Sequence, residues 1–317
     1  MNHIYDLVQA QIQQPSIVTI GVFDGVHRGH QHLIRKLVEA ARIANRQAVV
    51  LTFFPHPDTV VRGLQGRYYL TSPEQKAAEL SKLGVYCVVT HAFDEQVRHI
   101  RAADFVDRLL KHLHMAELWV GSDFAMGYQR EGNVSFLKVQ GEQKGFTVQE
   151  IDLLMNHGDV ISSTVIREAI QAGDVNQAKS WLGRSYTVSG TVVHGEKRGR
   201  QIGFPTANLE TWAEQVIPAN GVYATWATIG SERFMAVTNI GVRPTFSGQD
   251  ITVEAHLLDF NRDIYEQELT LTFETRLRPE QRFKGIDELI TQIRSDVEAG
   301  RDYLSYQTAA DTGQNGT

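Results

Sequence analysis

Of the 317 residues only one is a cysteine, Cys87, inside the apolar run VYCVVT. A single thiol excludes a disulfide framework and fits a reducing compartment. Cys87 itself reads as a small core residue. Long apolar runs are missing too: none reaches the roughly 20 residues that a membrane span needs. The opening MNHIYDLVQAQIQQP lacks the basic-then-apolar order of a secretory signal. A cytoplasmic protein without a membrane partner is the expectation. Positive charge is also scarce, with Lys+Arg 31 against Asp+Glu 37 and a net charge of −6. That balance argues against a dedicated nucleic-acid-binding face. Neither GxGxxG nor the Walker pattern GxxxxGK[ST] describes the glycines near residue 25. The remaining composition, 42% hydrophobic and 21% charged, is that of a globular protein long enough for about two domains.

The first half alternates. Apolar, β-branched runs at 17–23, 47–53, 85–93, 116–122 and 146–152 are separated by helical patterns at 30–44, 73–83, 103–113 and, more weakly, 134–144. Continuous apolar strands between helices predict a parallel sheet covered on both faces, a doubly wound α/β domain. Helical stretches at 163–172 and 174–182 close it. From Tyr186 the pattern changes to strands with almost no helices between them: YTVSGTVV, GVYATWATI, RFMAVTNI, ITVEAHLL and ELTLTFETRL. That spacing predicts an antiparallel barrel or sandwich. One helix, 285–304, follows, and the polar end QTAADTGQNGT reads as disordered. The expected division is 1–183, 184–305 and a tail over 306–317.

Special residues concentrate in TIGVFDGVHRGHQHLI, residues 19–34. In doubly wound folds, ligands gather outside the carboxyl ends of strands, where this segment begins. Gly21, Gly25 and Gly29 let the backbone turn tightly and approach a ligand, and the next helix offers free N–H groups suited to phosphate. His27 and His30, three apart, can face one spot if the helix starts between them. The four letters HxGH alone also fit a turn with two solvated histidines. Asp24 stays open between a turn-forming side chain and a ligand. Later comes ISSTVIRE, 161–168: the hydroxyls of Ser162, Ser163 and Thr164 at a helix start, with Arg167 one turn on. These residues can grasp phosphate as well as cap the helix.

The pair GxFDGxHxGH and ISSTxIR resembles the HxGH nucleotidyltransferases. More closely it is similar to the FMN adenylyltransferase module of the bacterial bifunctional riboflavin kinase/FAD synthetases. LTFFPHP (51–57) and VGSDFAMG (120–127) agree, although the family usually has Phe where Met126 stands. The resemblance implies a Rossmann-like fold in which an FMN phosphate oxygen attacks the α-phosphorus of ATP, giving FAD and pyrophosphate with Mg2+ and no protein nucleophile. It implies that His27 and His30 stabilise the transition state, beside Gly21, Phe23 and Gly29. Ser163, Thr164 and Arg167 would clamp the β- and γ-phosphates. Phe54, Pro55, His56 and Pro57 would border the isoalloxazine, and Asp123 would lie near the flavin phosphate or ribose.

The second dense segment is VVHGEKRGRQIGFPTANL, 192–209. Gly195, Gly199 and Gly203 punctuate a basic loop containing Lys197, Arg198 and Arg200, and such a loop can wrap phosphates through backbone N–H groups. Thr206 and Asn208 share one face of an extended segment, and their oxygens suit Mg2+. A plain hairpin loop with a solvated basic tip is the alternative. PANGVYA, TNIGVRPTF, VEAHLLDF and the segment 277–300 complete a resemblance to riboflavin kinase, a small β-barrel with a terminal helix. In VEAH, Glu254 and His256 share a face. The resemblance implies that Glu254 is the base for the riboflavin 5′-hydroxyl, while His256 reads as structural. Riboflavin, FMN and ATP are the partners this implies, with no nucleic acid. A nucleotidyltransferase acting on another phosphate would lack the PTAN segment, and a mere flavin- or RNA-binding module would not need Glu254 beside a phosphate loop. The oligomeric state is left open.

Overall fold

The structure, a computed structural model, describes residues 2–151, 155–156, 159–195, 199, 202–245 and 248–314. It divides into two compact units, Met1–Ser163 and Thr164–Thr317.

In the first unit, strands β1 (Asn2–Ile4), β2 (Ser16–Ile20), β3 (Gln47–Phe54), β4 (Cys87–Ala92) and β5 (Met115–Gly121) come before a two-residue hairpin pair, β6 (Ala125–Met126) and β7 (Gly132–Asn133). Strand β8 (Thr147–Ile151) follows, then a second small pair, β9 (Met155–Asn156) and β10 (Asp159–Val160). The helices are α1 (Arg28–Ile43), α2 (Pro57–Arg62), α3 (Pro73–Lys82), α4 (Glu95–Arg98), α5 (Ala102–Leu113) and α6 (Val134–Lys144). The main sheet is parallel in the order β1-β4-β3-β2-β5-β8. Every residue of β2 is buried, as a strand covered on both faces requires. Alternation assigns the faces. Val18, Val49, Leu51 and Val89 pack with Phe105, Leu109 and Leu113 of α5. Val50 and Val88 pack with Ile34 of α1 and Leu80 of α3. The chain leaves β2 toward β3 on one side and later toward β5 on the other. The topological switch point is therefore the carboxyl end of β2, where such folds bind ligands.

Helix α7 (Ser163–Ala172) leads into the second unit, followed by α8 (Val175–Leu182). Strands β11 (Tyr186–Val193), β12 (Ala207–Thr211), β13 (Gly221–Ile229), β14 (Glu232–Thr245), β15 (Gly248–Leu257) and β16 (Glu268–Pro279) close an antiparallel barrel in the order β11-β12-β15-β14-β13-β16. This decides between barrel and sandwich. Fully buried residues of the wall include Val188, Ala227, Ile240, Ala255, Leu271 and Phe273. The buried hydroxyls of Thr225 and Thr238 satisfy each other at 2.7 Å. The last helix, α9 (Ile286–Gln314), places Leu304 against Ala224 and Trp226. Asp296 of α9 takes a bidentate hydrogen bond from Arg278 at 2.8–3.1 Å. The helix runs past the expected end at Leu304 as far as Gln314, through residues read from sequence as a disordered tail. Gln307, Ala309 and Ala310 there are good helix formers despite their polarity or small size.

Candidate active sites

At the carboxyl end of β2 the chain makes a strained turn. Phe23 (φ 52°), Gly25 (φ 77°) and Val26 (φ 41°) all adopt left-handed backbone. For a β-branched valine that conformation is a real outlier, and such strain gathers at functional sites. Asp24 explains how the turn is held. Its carboxylate, 1% exposed, accepts from Leu70 N–H at 3.0 and 3.1 Å, Thr71 N–H at 3.2 Å and Thr71 Oγ1 at 3.4 Å. The Asp24 carbonyl accepts from Ser163 Oγ at 2.9 Å. Asp24 thus anchors the turn to the 70–71 segment.

His27 caps α1, its Nδ1 accepting from His30 N–H at 3.4 Å. An Nδ1 that accepts carries no proton, so the proton of neutral His27 sits on Nε2. The two rings stack at 3.6 Å, and the edge of Phe23 meets His30 at 5.1 Å. Burial, then His27 and Lys76, hold His30 well below the ordinary histidine value. His30 Nδ1 is buried without a hydrogen-bond partner among the described residues, a position that an N–H would occupy at greater cost than a lone pair. His27 presents Nε2–H as a donor, and His30 does so in the tautomer that leaves its buried Nδ1 a lone pair. Gly29 permits this packing, because a Cβ there would lie 3.1 Å from the His27 ring. Arg167 on α7 is buried, whereas Thr164 is exposed.

A cavity of about 580 Å3 opens beyond β2, lined by Gly21, Phe53, His56, Pro57, Phe93, Arg98, His99, Phe124, Met126 and Tyr128 among others. Flat aromatic walls with a few polar groups suit an aromatic ring system. His56 and Pro57 line it, and Phe54 and Pro55 do not. Successive strand residues face opposite ways, so Phe53 reaches the cavity and Phe54 packs instead on Tyr69 at 5.4 Å. Asp123 is exposed and off the lining. Its carbonyl accepts from Arg130 at 3.0 Å. Phe93, His99 and Tyr128 went unrecognised in the sequence. The signal was available, since HAFDEQVRHIR places Phe93 immediately after β4, at the same edge as the opening motif.

In the barrel, Asn208 of β12 pairs with Glu254 of β15, and Thr206 Oγ1 donates to Glu254 Oε2 at 3.3 Å. Val253, Ala255 and Leu257 are buried in the wall, so Glu254 and His256 occupy the outer face, not the barrel interior. Gly195 comes so close that a Cβ would lie 2.3 Å from Asn208 Nδ2. A side chain there would displace the Asn208 amide. Gly199 and Gly203 bound the following turn, with Phe204 N–H bonded to the Gly199 carbonyl at 2.8 Å. Lys197, Arg198 and Arg200 lie outside the described residues. His256 Nδ1 bonds the Pro205 carbonyl at 2.8 Å, which pins the loop and gives the histidine its structural part. A neighbouring cleft of about 310 Å3 is lined by Thr206, Leu257, Phe260, Arg262, Asp263 and Tyr265 among others. Among the described residues there is no cluster of three or more His, Cys, Asp or Glu able to hold a metal. Cys87 is buried, its thiol pushed up to about 11 by burial, and so inert.

The riboflavin kinase family model matches residues 182–304, and the FAD synthetase family model matches residues 9–165. A bifunctional riboflavin kinase/FMN adenylyltransferase of Pseudomonas fluorescens is 40% identical over 90% of this chain and 92% of its own. The protein of that name from Escherichia coli K12 is 38% identical over 95% of this chain and 96% of its own. A solved structure named as a macrolide-efflux protein, from Streptococcus pneumoniae, superposes with a TM-score of 0.85 at 30% identity, covering 94% of this chain and 98% of that one. In this chain no helix among the described residues is long and apolar enough to cross a membrane. The two matched segments fall in the order of the two units. The chain belongs to the bifunctional riboflavin kinase/FMN adenylyltransferase family.

Proposed function

We propose that the protein makes FAD from riboflavin in two ATP-dependent steps, one on each side of a boundary near residue 183. The observation that carries this reading is that each unit has its own constellation suited to phosphate: stacked His27 and His30 on a strained turn, and Thr206, Asn208 and Glu254 beneath a glycine loop. The second module phosphorylates riboflavin to FMN; the first adenylylates FMN. In the first, an FMN phosphate oxygen forms a bond to the α-phosphorus of ATP as the bond to pyrophosphate breaks. No side chain is covalently involved. Positioning and neutralisation of developing charge carry the rate. His27 and His30 donate from Nε2–H to the reacting phosphates, which the closely packed Gly21, Phe23 and Gly29 allow to approach. Ser163, Thr164 and Arg167 hold the β- and γ-phosphates. The aromatic cavity takes the isoalloxazine, with His56 and Pro57 at its wall and Phe54 and Pro55 shaping that wall from behind. Asp123 stands at the ribose or phosphate end.

In the second module Glu254 accepts the proton of the riboflavin 5′-hydroxyl, and Gly195, Lys197, Gly199 and Gly203 wrap the ATP phosphates. Thr206, Asn208 and Glu254 offer an all-oxygen donor set, which fits Mg2+. Thr206 and Asn208 would hold the ion, whose charge offsets that of the phosphates. A cytoplasmic location would give the protein ATP and flavin. Purified protein given riboflavin, ATP and Mg2+ should yield FMN and then FAD, and given FMN should release one pyrophosphate per FAD. Chromatography showing neither product sinks the reading.

A further inference from the structure

The phosphate-facing turn carries no lysine of its own, unlike a Walker loop, yet a lysine lies beneath it. Lys76 of α3 is 2% exposed, although lysines are almost never fully buried unless paired. Its Nζ donates to Thr52 Oγ1 at 3.2 Å. Thr52, fully buried on β3, donates in turn to the Val22 carbonyl at 2.8 Å. Val22 enters the turn. Asp24, inside it, attracts Lys76. The other titratable groups facing the amine are His30 from α1 and His3 from β1, each discouraged by it from taking a proton. Glu74, on the same helix as Lys76, is engaged elsewhere, by Tyr5 at 2.7 Å and Ser72 at 2.8 Å. A methionine would fill this space without desolvating a charge. Retaining an ammonium here costs stability, so its use lies in the charge.

We propose that Lys76 is a positioning residue of the adenylyl-transfer site: bonded through Thr52 to Val22 and drawn to Asp24, its ammonium fixes the 22–26 turn under the ATP phosphates and gives that turn positive charge. This rests on the reading that the turn meets phosphates. Burial lowers the Lys76 amine to about 8, against the pull of Asp24. The charge is therefore present at neutral pH and lost as pH rises through that value.

The test uses the full-length chain with Lys76→Gln, which keeps a hydrogen bond to Thr52 without charge, and Lys76→Met. FAD formation from FMN and Mg·ATP is followed from pH 6 to 9.5, with FMN formation from riboflavin as the control. For the wild type, kcat/KM for ATP in FAD formation should fall above about pH 8, because kcat/KM reports groups of the free enzyme. Both variants should lose roughly tenfold or more at pH 7, as displaced catalytic geometry does. They should lack the alkaline fall, keep kinase activity and melt no lower than the wild type. Rates within twofold of wild type, or an alkaline fall that survives the substitution, overturn the proposal. So does an activity loss that tracks a lowered melting temperature in both variants, which would make Lys76 purely structural. A wild-type protein that forms no FAD at any pH would instead refute the functional reading on which the proposal rests.

Discussion

Two imidazoles stacked at 3.6 Å cannot both carry a proton cheaply. His30 stays neutral well below the ordinary histidine value, and the stability of the first unit depends on pH as a result. The unfolded chain takes up a proton at His30 as pH drops below 6.5, and the folded chain does not. Stability present at neutral pH is therefore lost as pH falls from 6.5 toward the folded value, by at most about 1.4 kcal/mol per pH unit for this one group. His3 and His91, also lowered chiefly by burial, act with the same sign. Urea unfolding of wild type and His30→Gln at pH 7.5 and 5 measures it: the wild type should lose more stability on acidification. For catalysis, His30→Ala removes one preorganised donor and should slow FAD formation by roughly 10²–10³ with kinase turnover intact. Glu254→Gln keeps the size but removes the base. Since phosphoryl transfer needs little early proton removal, kinase turnover should fall near 10², the low end for general-base assistance. A fall within twofold would remove Glu254 from that role.

At the scale of elements, α1, α3, α5 and α6 lay within two residues of their expected bounds: the first three have a periodic apolar face, and α6 is bounded by the Asn133 N-cap and the Gly145 C-cap. Helix α1 buries Ile34, Leu37 and Ala41, the spacing that identifies it. Strand β1, three residues long, and α4, four residues long, were illegible, since so short a segment has no period to read. The strained turn was legible in composition but not in shape: nothing local announces Val26 at positive φ, which Asp24 maintains through Leu70 and Thr71 far along the chain. Which of Phe53 and Phe54 faces the cavity was not legible, because strand phase is set by the sheet. Two expectations belong to this scale. Asp296→Ala leaves the partly exposed Arg278 without its carboxylate and should destabilise the second unit by roughly 1–3 kcal/mol in urea. Helix α8 is tied to the barrel through Lys179 on Glu274 at 2.7 Å, with Glu274 4% exposed. A fragment of 164–317 should therefore unfold at clearly higher urea than one of 184–317, and equal midpoints would show α8 to be dispensable.

For the whole molecule, the two chemistries are assigned to two separate stretches of the chain. No residue proposed for adenylyl transfer lies beyond Arg167, and none proposed for the kinase lies before Gly195. Charge, composition and the lone cysteine bounded the class of protein without locating a reaction; the two dense segments located it, and register and burial then assigned sides and partners. Separate sites imply separable losses. The direct measurement gives full-length wild type, His30→Ala and Glu254→Gln first riboflavin, then FMN, each with ATP and Mg2+, and quantifies FMN and FAD by chromatography. The account predicts that His30→Ala converts riboflavin to FMN and stops there, while Glu254→Gln makes little FMN from riboflavin yet converts supplied FMN to FAD at the wild-type rate. Loss of both products in either folded variant would contradict it.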